Sequence, residues 1–178
     1  MIRLFVGLAL PAEHRQHLAA LQHGLKDARW VAPENLHITV RFIGEVDEDV
    51  AEEICGVLNH IRADPFGLTI QDLGTFGRPP HALWTGVEDD AGGALAHLHA
   101  NVESALVRLG LAPEGRKYTP HVTLARFRKS AHLGRLGDFL EAHGALALQP
   151  FTVDGFTLFE SHLSHLGAQY TPYAEFDF

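Results

Sequence analysis

Cysteine is almost absent from the chain, since Cys55 is the only one in 178 residues. A single thiol excludes an intramolecular disulfide and any metal site built from several thiolates. Long apolar runs are missing as well: the apolar stretch at 3–10 is short and stops at Pro11, and no second one follows. That is too little for a signal peptide or a membrane-spanning helix. We therefore expect a soluble protein of the reducing cytoplasm that does not contact membranes.

Several patterns of catalytic and nucleotide-binding sites are missing too. There is no G-x-S-x-G turn for a nucleophilic serine and no glycine-rich phosphate loop of the Walker type. Cys55 falls in a predicted helix rather than in an environment that activates a thiol. Histidine pairs with ligand-like spacing occur, but no acidic or cysteine ligand accompanies them. These pairs are His14 with His17, His97 with His99, and His162 with His165. We expect no metal site and no cofactor.

Positive charge is scarce. The 14 Lys and Arg residues face 22 Asp and Glu, which gives a formal net charge of −8. Such a balance excludes an extended polyanion-binding surface, so any nucleic acid must be bound locally, at an end or a short segment. Activity on such a ligand would depend only modestly on salt. The length and the apolar fraction of 46% fit one well-buried core, and we expect a single domain over 1–178.

The most informative feature is a pair of similar segments, LHITVRF at 36–42 and PHVTLARF at 120–127. Each has the order His, apolar, Thr, apolar. Because side chains alternate along a strand, His and Thr of each copy should share one face while the apolar residues anchor the other. Ordinary half-buried strands would give the same pattern, so the doublet alone leaves that interpretation open. The expected cleft-facing residues are His37, Thr39 and Arg41, then His121 and Thr123, with Ile38, Val40, Phe42, Val122 and Leu124 towards the core.

Periodicity predicts alternating strands and helices around these two segments. Predicted strands cover 2–10, 28–31, 36–43, 66–75, 81–88, 121–127, 148–160 and 169–177. Predicted helices cover 12–26, 48–62 (with Asp47 as N-cap), 89–109 and 132–143. The order is a loose duplication with the histidine strands in corresponding places. It predicts an α+β protein with two similar lobes and a cleft between them.

Two imidazoles facing each other across a cleft suit acid–base chemistry. Near neutral pH one ring can be neutral and accept a proton from an attacking oxygen, while the other is protonated and gives one to the leaving oxygen. Threonine hydroxyls beside them, with an added arginine, would bind a phosphate and stabilise its growing charge. The set needs neither a metal nor a covalent nucleophile. It suits the opening of a strained cyclic phosphodiester.

These segments resemble a known family, the two-histidine phosphoesterases. Within that family the chain is most similar to the bacterial and archaeal RNA 2′,3′-cyclic phosphodiesterases, also called 2′-5′ RNA ligases. The similarity spans essentially the whole chain. The matching stretches are RLFV at 3–6, RWVAPENLH at 29–37, PHVTLAR at 120–126, and a C-terminal pattern of Ser161, Leu163, Gly167 and Tyr170. The resemblance implies a bilobal α+β fold, with antiparallel sheets of two pseudo-symmetric lobes flanking a central cleft and helices outside.

The activity implied by the resemblance is the opening of a 2′,3′-cyclic phosphate at an RNA 3′ end, or on a short oligonucleotide, to a 2′-phosphomonoester. ATP-independent 2′-5′ ligation would be its weak reverse, and the protein would be a monomer. By the same resemblance, His37 and His121 are the acid–base pair, and Thr39 and Thr123 bind the phosphate. A 2′-phosphate product requires O3′ to leave; we expect His37 to protonate it and His121 to activate water, an order that the sequence does not fix.

Two further residues are named by the resemblance. Arg126 would be another phosphate ligand, yet it lies five residues after His121, so an ideal strand would turn it to the opposite face. Either a bulge or the strand end re-aims Arg126, or Arg41 binds the phosphate instead. Phe5 would stack on the terminal base, with a plain core aromatic as the alternative.

Three other functions stay open at this stage. A two-histidine fold could hold a nucleotide or RNA end without turnover, although binding alone does not need two titrating groups. A sister enzyme could act on another cyclic phosphate, such as ADP-ribose 1″,2″-cyclic phosphate or a small cyclic nucleotide. A histidine-rich metal protein would lose its activity after EDTA treatment, whereas acid–base catalysis would not.

Overall fold

The computed structural model describes residues 1–178, which form nine strands and four α-helices. The strands are β1 (Ile2–Ala9), β2 (Ala28–Trp30), β3 (His37–Val46), β4 (Phe66–Phe76), β5 (Ala82–Asp89), β6 (His121–Phe127), β7 (Phe151–Val153), β8 (Gly155–Ser164) and β9 (Gly167–Asp177). The helices are α1 (Ala12–Leu21), α2 (Glu48–Leu58), α3 (Ala94–Leu109) and α4 (Leu136–His143), and a 3₁₀ turn covers Pro33–Asn35.

The strands form two antiparallel sheets, one for each histidine strand. The first has the order β3-β1-β8-β9 and the second the order β2-β6-β5-β4-β7. The predicted α+β fold with two sheets is therefore confirmed. The lobes do not follow the two halves of the chain, however, because the C-terminal hairpin β8–β9 pairs with β1 at the N-terminus. Strands β3 and β6 contact each other across the boundary between the sheets.

One hydrophobic cluster of 31 buried residues joins both sheets to the helices. Helix α3 contributes Leu95, Leu98, Val102 and Leu106, which are at most 1% exposed, as its spacing predicted. Helix α2 begins after Asp47, the predicted N-cap, although the Asp47 side chain makes no capping hydrogen bond. No helix is both long and apolar enough to cross a bilayer.

Some predicted boundaries are wrong. Helix α1 ends at Leu21 instead of 26, because the chain turns at Gly24, whose φ of +84° suits glycine, and so brings Leu25 against the core. The strand predicted over 148–160 is two strands, β7 and β8, and they join different sheets. Periodicity within one segment cannot show a change of sheet, since both strands bury apolar residues at period two.

Strand β3 contains a bulge directly after its His-x-Thr segment. Thr39 pairs with Gly7 and Arg41 pairs with the neighbouring Val6, so Val40 has no partner on β1. An extra residue in one strand reverses the side to which the following side chains point. Val40 and Arg41 are consequently both buried, at 1% and 6% exposure.

The bulge makes one prediction from strict alternation wrong. Arg41 was expected beside His37 in the cleft and Phe42 in the core. In the structure Arg41 is 6% exposed and does not line the part of the cleft that holds His37, whereas Phe42 is 43% exposed and does line it. The Arg3 guanidinium lies over the exposed Phe42 ring, 5.1 Å from its centroid.

Strand β6 has a bulge at the matching position. Thr123 and Ala125 pair with adjacent residues of β5, which leaves Leu124 without a partner. Leu124 and Ala125 are both fully buried, and Arg126 is exposed on the cleft side. Arg126 in β6 thus corresponds to Phe42 in β3, five residues after each histidine, so the Arg-Phe pairs that follow the two copies are offset by one residue.

Candidate active site

Each histidine of the pair is held by a main-chain carbonyl two residues before it. Nδ1 of His37 donates to the Asn35 oxygen at 2.7 Å, and Nδ1 of His121 donates to the Thr119 oxygen at 2.7 Å. A carbonyl can only accept, so Nδ1 carries hydrogen in both rings. Nε2 of each ring is then left to accept a proton or, once protonated, to donate one.

The threonines lie where the sequence predicted them. Thr39 Oγ1 is 2.9 Å from Nε2 of His37, and in the neutral ring this nitrogen accepts the hydroxyl hydrogen. Thr123 takes the equivalent place after His121 and lines the same cleft. A phosphate oxygen that displaces the contact between Thr39 and His37 would meet a hydroxyl donor and an imidazole at once.

The cleft between the sheets has two connected sections. The section that we call the aromatic section has a volume of about 470 Å³, and all six residues predicted from sequence line it: Phe5, His37, Thr39, His121, Thr123 and Arg126. The other, which we call the basic section, has a volume of about 500 Å³ and is lined by Phe76, His81, His99, Arg116, Lys117 and Tyr118, among others. Five residues border both sections: Thr39, Phe42, His121, Thr123 and Arg126.

The electrostatics of the cleft disfavour charge on both imidazoles. Burial lowers the pKa of His37 to about 4, and the positive charges of His121 and Arg126 act in the same direction. Burial also lowers the pKa of His121, with a smaller contribution from Arg126. Both rings are therefore neutral at pH 7 in the free protein. An anionic phosphate beside them would raise both pKa values, because it favours the protonated form.

Arg126 and Arg41 differ in what their guanidinium groups already bind. Arg41 forms an ion pair with Glu103 and donates to the carbonyl oxygens of Phe42 and Ala112, the latter at 2.7 Å. Arg126 is exposed and makes no hydrogen bond or ion pair within the protein. Of the two arginines, only Arg126 has its donors free for a ligand in the cleft.

Phe5 lies under the end of β3 that carries His37 rather than beside open solvent. Its ring is 4% exposed and packs on His37 and Phe159, with centroid distances of 4.8 Å and 5.1 Å. Tyr170 meets the rings of Phe5 and His37 edge-on. The burial of Phe5 favours the core-aromatic interpretation, in which its ring supports the imidazole of His37.

Two residues that the sequence interpretation missed hold the bulge of β3. The Tyr118 hydroxyl donates to the Thr39 oxygen at 3.0 Å, and Nδ1 of His99 donates to the Val40 oxygen at 2.8 Å. Their rings stack with centroids 4.0 Å apart and planes 5° from parallel. Burial raises the pKa of Tyr118, so its hydroxyl stays a donor. No sequence signal links His99 on α3 to this contact.

Asn35 is a third residue that the sequence did not single out. Its main-chain oxygen accepts from His37, while its side-chain amide donates to the Ala168 oxygen at 2.6 Å. The amide oxygen of Asn35 accepts from the Tyr170 nitrogen at 3.3 Å. Asn35 therefore ties strand β9 to the imidazole of His37.

The histidine pairs considered as metal ligands do not assemble a site. No group of three or more His, Cys, Asp and Glu side chains in the chain is arranged to hold a metal ion. His14, for example, is 6% exposed and bonds through Nε2 to the Gln149 oxygen at 2.6 Å.

A family model described as the 2′-5′ RNA ligase superfamily matches residues 10–165. The chain belongs to this superfamily. A relative from Aeropyrum pernix named RNA 2′,3′-cyclic phosphodiesterase is 39% identical over 142 residues, which cover 79% of this chain and 80% of the relative. A relative of the same name from Escherichia coli strain K12 is 30% identical over 96% of this chain and 93% of its own.

Two solved structures share the fold described above. Escherichia coli LigT in complex with 3′-AMP superposes with a TM-score of 0.80 at 27% identity, covering 99% of this chain and 98% of that one. The Thermus thermophilus protein TT0787 gives a TM-score of 0.82 at 22% identity, over 99% and 97% of the two chains. The antiparallel sheets on either side of the cleft are thus the architecture of this 2′-5′ RNA ligase superfamily member.

Proposed function

We propose that this protein is an RNA 2′,3′-cyclic phosphodiesterase that opens the cyclic phosphate at RNA 3′ ends to a 2′-phosphomonoester. The observation that carries the proposal is the convergence of two His-x-Thr strands from different sheets on one cleft, which the free cation Arg126 also lines. Relatives of that name, at up to 39% identity, support the same activity.

In the proposed reaction, His121 takes a proton from a water molecule as the water oxygen attacks phosphorus. The bond from phosphorus to O3′ breaks, and His37 gives O3′ its proton, which leaves the phosphate on O2′. Thr39, Thr123 and Arg126 bind the non-bridging oxygens and stabilise their growing charge. His37 takes up its proton as the anionic substrate binds, because the free ring has a pKa of about 4.

The order of the two histidines can be tested with a leaving group that needs no proton. We expect His37→Ala to lose far less activity on a cyclic substrate with sulfur in place of O3′ than on the natural one, since a thiolate leaves unprotonated. His121→Ala should lose equally on both substrates. Rescue of His121→Ala alone would reverse the assignment.

The proposal also covers the domain organisation, the oligomeric state and the location of the protein. We propose that the 178 residues act as one two-lobed domain, because the cleft needs strands of both sheets. The proposal includes catalysis without a metal by a monomer, since every group named in the mechanism is a side chain of one chain. It also includes a cytoplasmic location, because a single free cysteine fits a reducing compartment. Ligation of a 5′-hydroxyl RNA end would be the reverse of 2′-5′ cleavage on the same residues.

The function is tested by incubating the protein with a short RNA that ends in a 2′,3′-cyclic phosphate. We expect a product whose phosphate resists a 3′-specific phosphatase, as a 2′-phosphate would. Tight binding of the RNA end without turnover would instead support the binding module. Turnover of ADP-ribose 1″,2″-cyclic phosphate but not of RNA would support the sister enzyme.

A further inference from the structure

The basic section of the cleft has no part in the mechanism above. It adjoins the reaction centre, because Thr39, His121, Thr123 and Arg126 border both sections, whereas His37 lines only the aromatic section. Its volume of about 500 Å³ is in the range of pockets that hold one small ligand. A molecule in the basic section would therefore touch the phosphate held between the two histidines.

Charge in the cleft runs against the charge of the whole protein. The chain carries a formal net charge of −8, yet Glu114 is the only acidic side chain that lines either section. Arg116 and Lys117 line the basic section, are exposed and form no hydrogen bond or ion pair within the protein. Two free cations beside Arg126 make an anionic ligand favourable at this place.

The basic section also offers aromatic surface. Phe76 is half-buried, and its ring meets His121 edge-on at 4.9 Å. His81, on the turn that follows Phe76, is exposed. Cations that bind phosphate next to rings on which a base can stack are the combination that binds single-stranded RNA without strong sequence preference.

We infer that the basic section binds a second nucleotide of single-stranded RNA, with Arg116 and Lys117 on its phosphate. The inference rests on the proposed function, because it places this nucleotide next to the cyclic phosphate. The nucleotide has two possible sources: the preceding residue of the RNA that bears the cyclic phosphate, or the 5′-hydroxyl end of another RNA.

The second source corresponds to ligation, and that reaction balances without ATP. The 5′-hydroxyl oxygen attacks phosphorus and gives its proton to one imidazole. The bond to O3′ breaks, and O3′ takes a proton from the other imidazole. A 2′-5′ phosphodiester and a free 3′-hydroxyl result, and the strain of the five-membered ring is released.

The first arm of the test compares substrates of different length. We would measure kcat/KM for a nucleoside 2′,3′-cyclic phosphate and for a trinucleotide with the same cyclic end. The wild type should prefer the trinucleotide by about tenfold, and this ratio should fall towards one in the double variant Arg116→Ala/Lys117→Ala. Arg128→Ala/Lys129→Ala is the matched control, because this adjacent basic pair is exposed but lines neither section.

The second arm measures ligation to a 5′-hydroxyl oligonucleotide. If the basic section holds the incoming strand, the double variant should raise the KM for that oligonucleotide about tenfold and leave the length ratio of the first arm intact. The loss of two phosphate-binding cations should also weaken the salt dependence of the arm that responds. The slope of log kcat/KM (first arm) or log KM (second arm) against log salt concentration should become shallower by about 1 to 1.4. Thermal melting verifies that each variant is folded.

An unchanged length ratio and an unchanged ligation KM in Arg116→Ala/Lys117→Ala would overturn the inference. An equal effect in the Arg128→Ala/Lys129→Ala control would overturn it as well, since the effect would then come from surface positive charge in general and not from the basic section. Failure of the proposed function looks different, because the wild type would not open the nucleoside 2′,3′-cyclic phosphate at all.

Discussion

Replacing Arg126 by glutamine tests how the bulge of β6 contributes to catalysis. The guanidinium borders both sections of the cleft and binds no other group of the protein, and its charge lowers the pKa of both His37 and His121. Two effects should follow. Loss of the charged phosphate contacts should lower kcat/KM by about 100-fold, as expected for two charge-assisted hydrogen bonds that stabilise the transition state. Removal of a positive neighbour should raise both pKa values.

The sign of the pH effect follows from these pKa directions. Catalysis needs one protonated and one neutral imidazole, so kcat/KM of the wild type should be bell-shaped, with its maximum between about 4 and 6.5. In Arg126→Gln the maximum should move to higher pH, because removal of the positive neighbour raises the pKa of both rings while burial still lowers them. Initial rates on a nucleoside 2′,3′-cyclic phosphate from pH 4 to 9 would measure both effects.

Arg41→Gln is the matched comparison for this experiment. Arg41 is buried, is bound to Glu103 and does not line the aromatic section that holds His37, and its loss would leave Glu103 without its cation. We expect the variant to keep the pH profile of the wild type but to lose about 2–3 kcal/mol of unfolding free energy. Unchanged activity and pH profile in Arg126→Gln, together with a shifted pH maximum and lower phosphate affinity in Arg41→Gln, would show that Arg41 binds the phosphate instead of Arg126.

Two further predictions concern the supports of the site. Tyr118→Phe removes the hydroxyl that donates to the Thr39 oxygen, at a cost of about 1–3 kcal/mol. The kcat of this variant should fall several-fold, by more than its KM changes, and steady-state kinetics with a thermal melt would measure both. A kcat equal to that of the wild type would contradict the role of Tyr118 in holding the bulge of β3. The second prediction concerns His37, whose lowered pKa in the folded state makes unfolding take up a proton below pH 6.5. The free energy of unfolding should therefore fall as the pH drops from 6.5 towards 4, and less steeply in His37→Ala than in the wild type. Thermal melts across this pH range would measure both slopes, and equal slopes would argue against a buried neutral His37 ring.

The His-x-Thr strands could be predicted because their signal is local. Alternation within each segment identified which face carries His37, Thr39, His121 and Thr123, and the structure brings all four to one cleft. The resemblance to the two-histidine phosphoesterases supplied the two-lobed fold and named Arg126, which alternation alone would have directed to the opposite face.

What the sequence could not show depends on pairing between distant segments. The bulges arise where β3 meets β1 and where β6 meets β5, so a single strand carries no mark of them. For the same reason alternation misplaced Arg41 and Phe42. The contact of His99 with the Val40 oxygen joins residues 59 positions apart and has no local pattern either.

The pairing of the C-terminal hairpin with β1 is a similar case. A duplicated order of strands and helices is equally compatible with two lobes built from the two halves of the chain. Only the hydrogen bonds between β1 and β8 decide that the first sheet uses both ends of the sequence. Such long-range pairing is set by the packing of the whole core rather than by any one segment.

The central claim, acid–base catalysis by two imidazoles, is tested most directly in EDTA with an RNA that ends in a 2′,3′-cyclic phosphate. The wild type, His37→Ala and His121→Ala would be assayed side by side after overnight chelation. Our account predicts that the wild type keeps full activity and forms a 2′-phosphate, and that each variant loses at least about 100-fold in kcat. Loss of wild-type activity in EDTA, or a variant within a few-fold of the wild type, would contradict it.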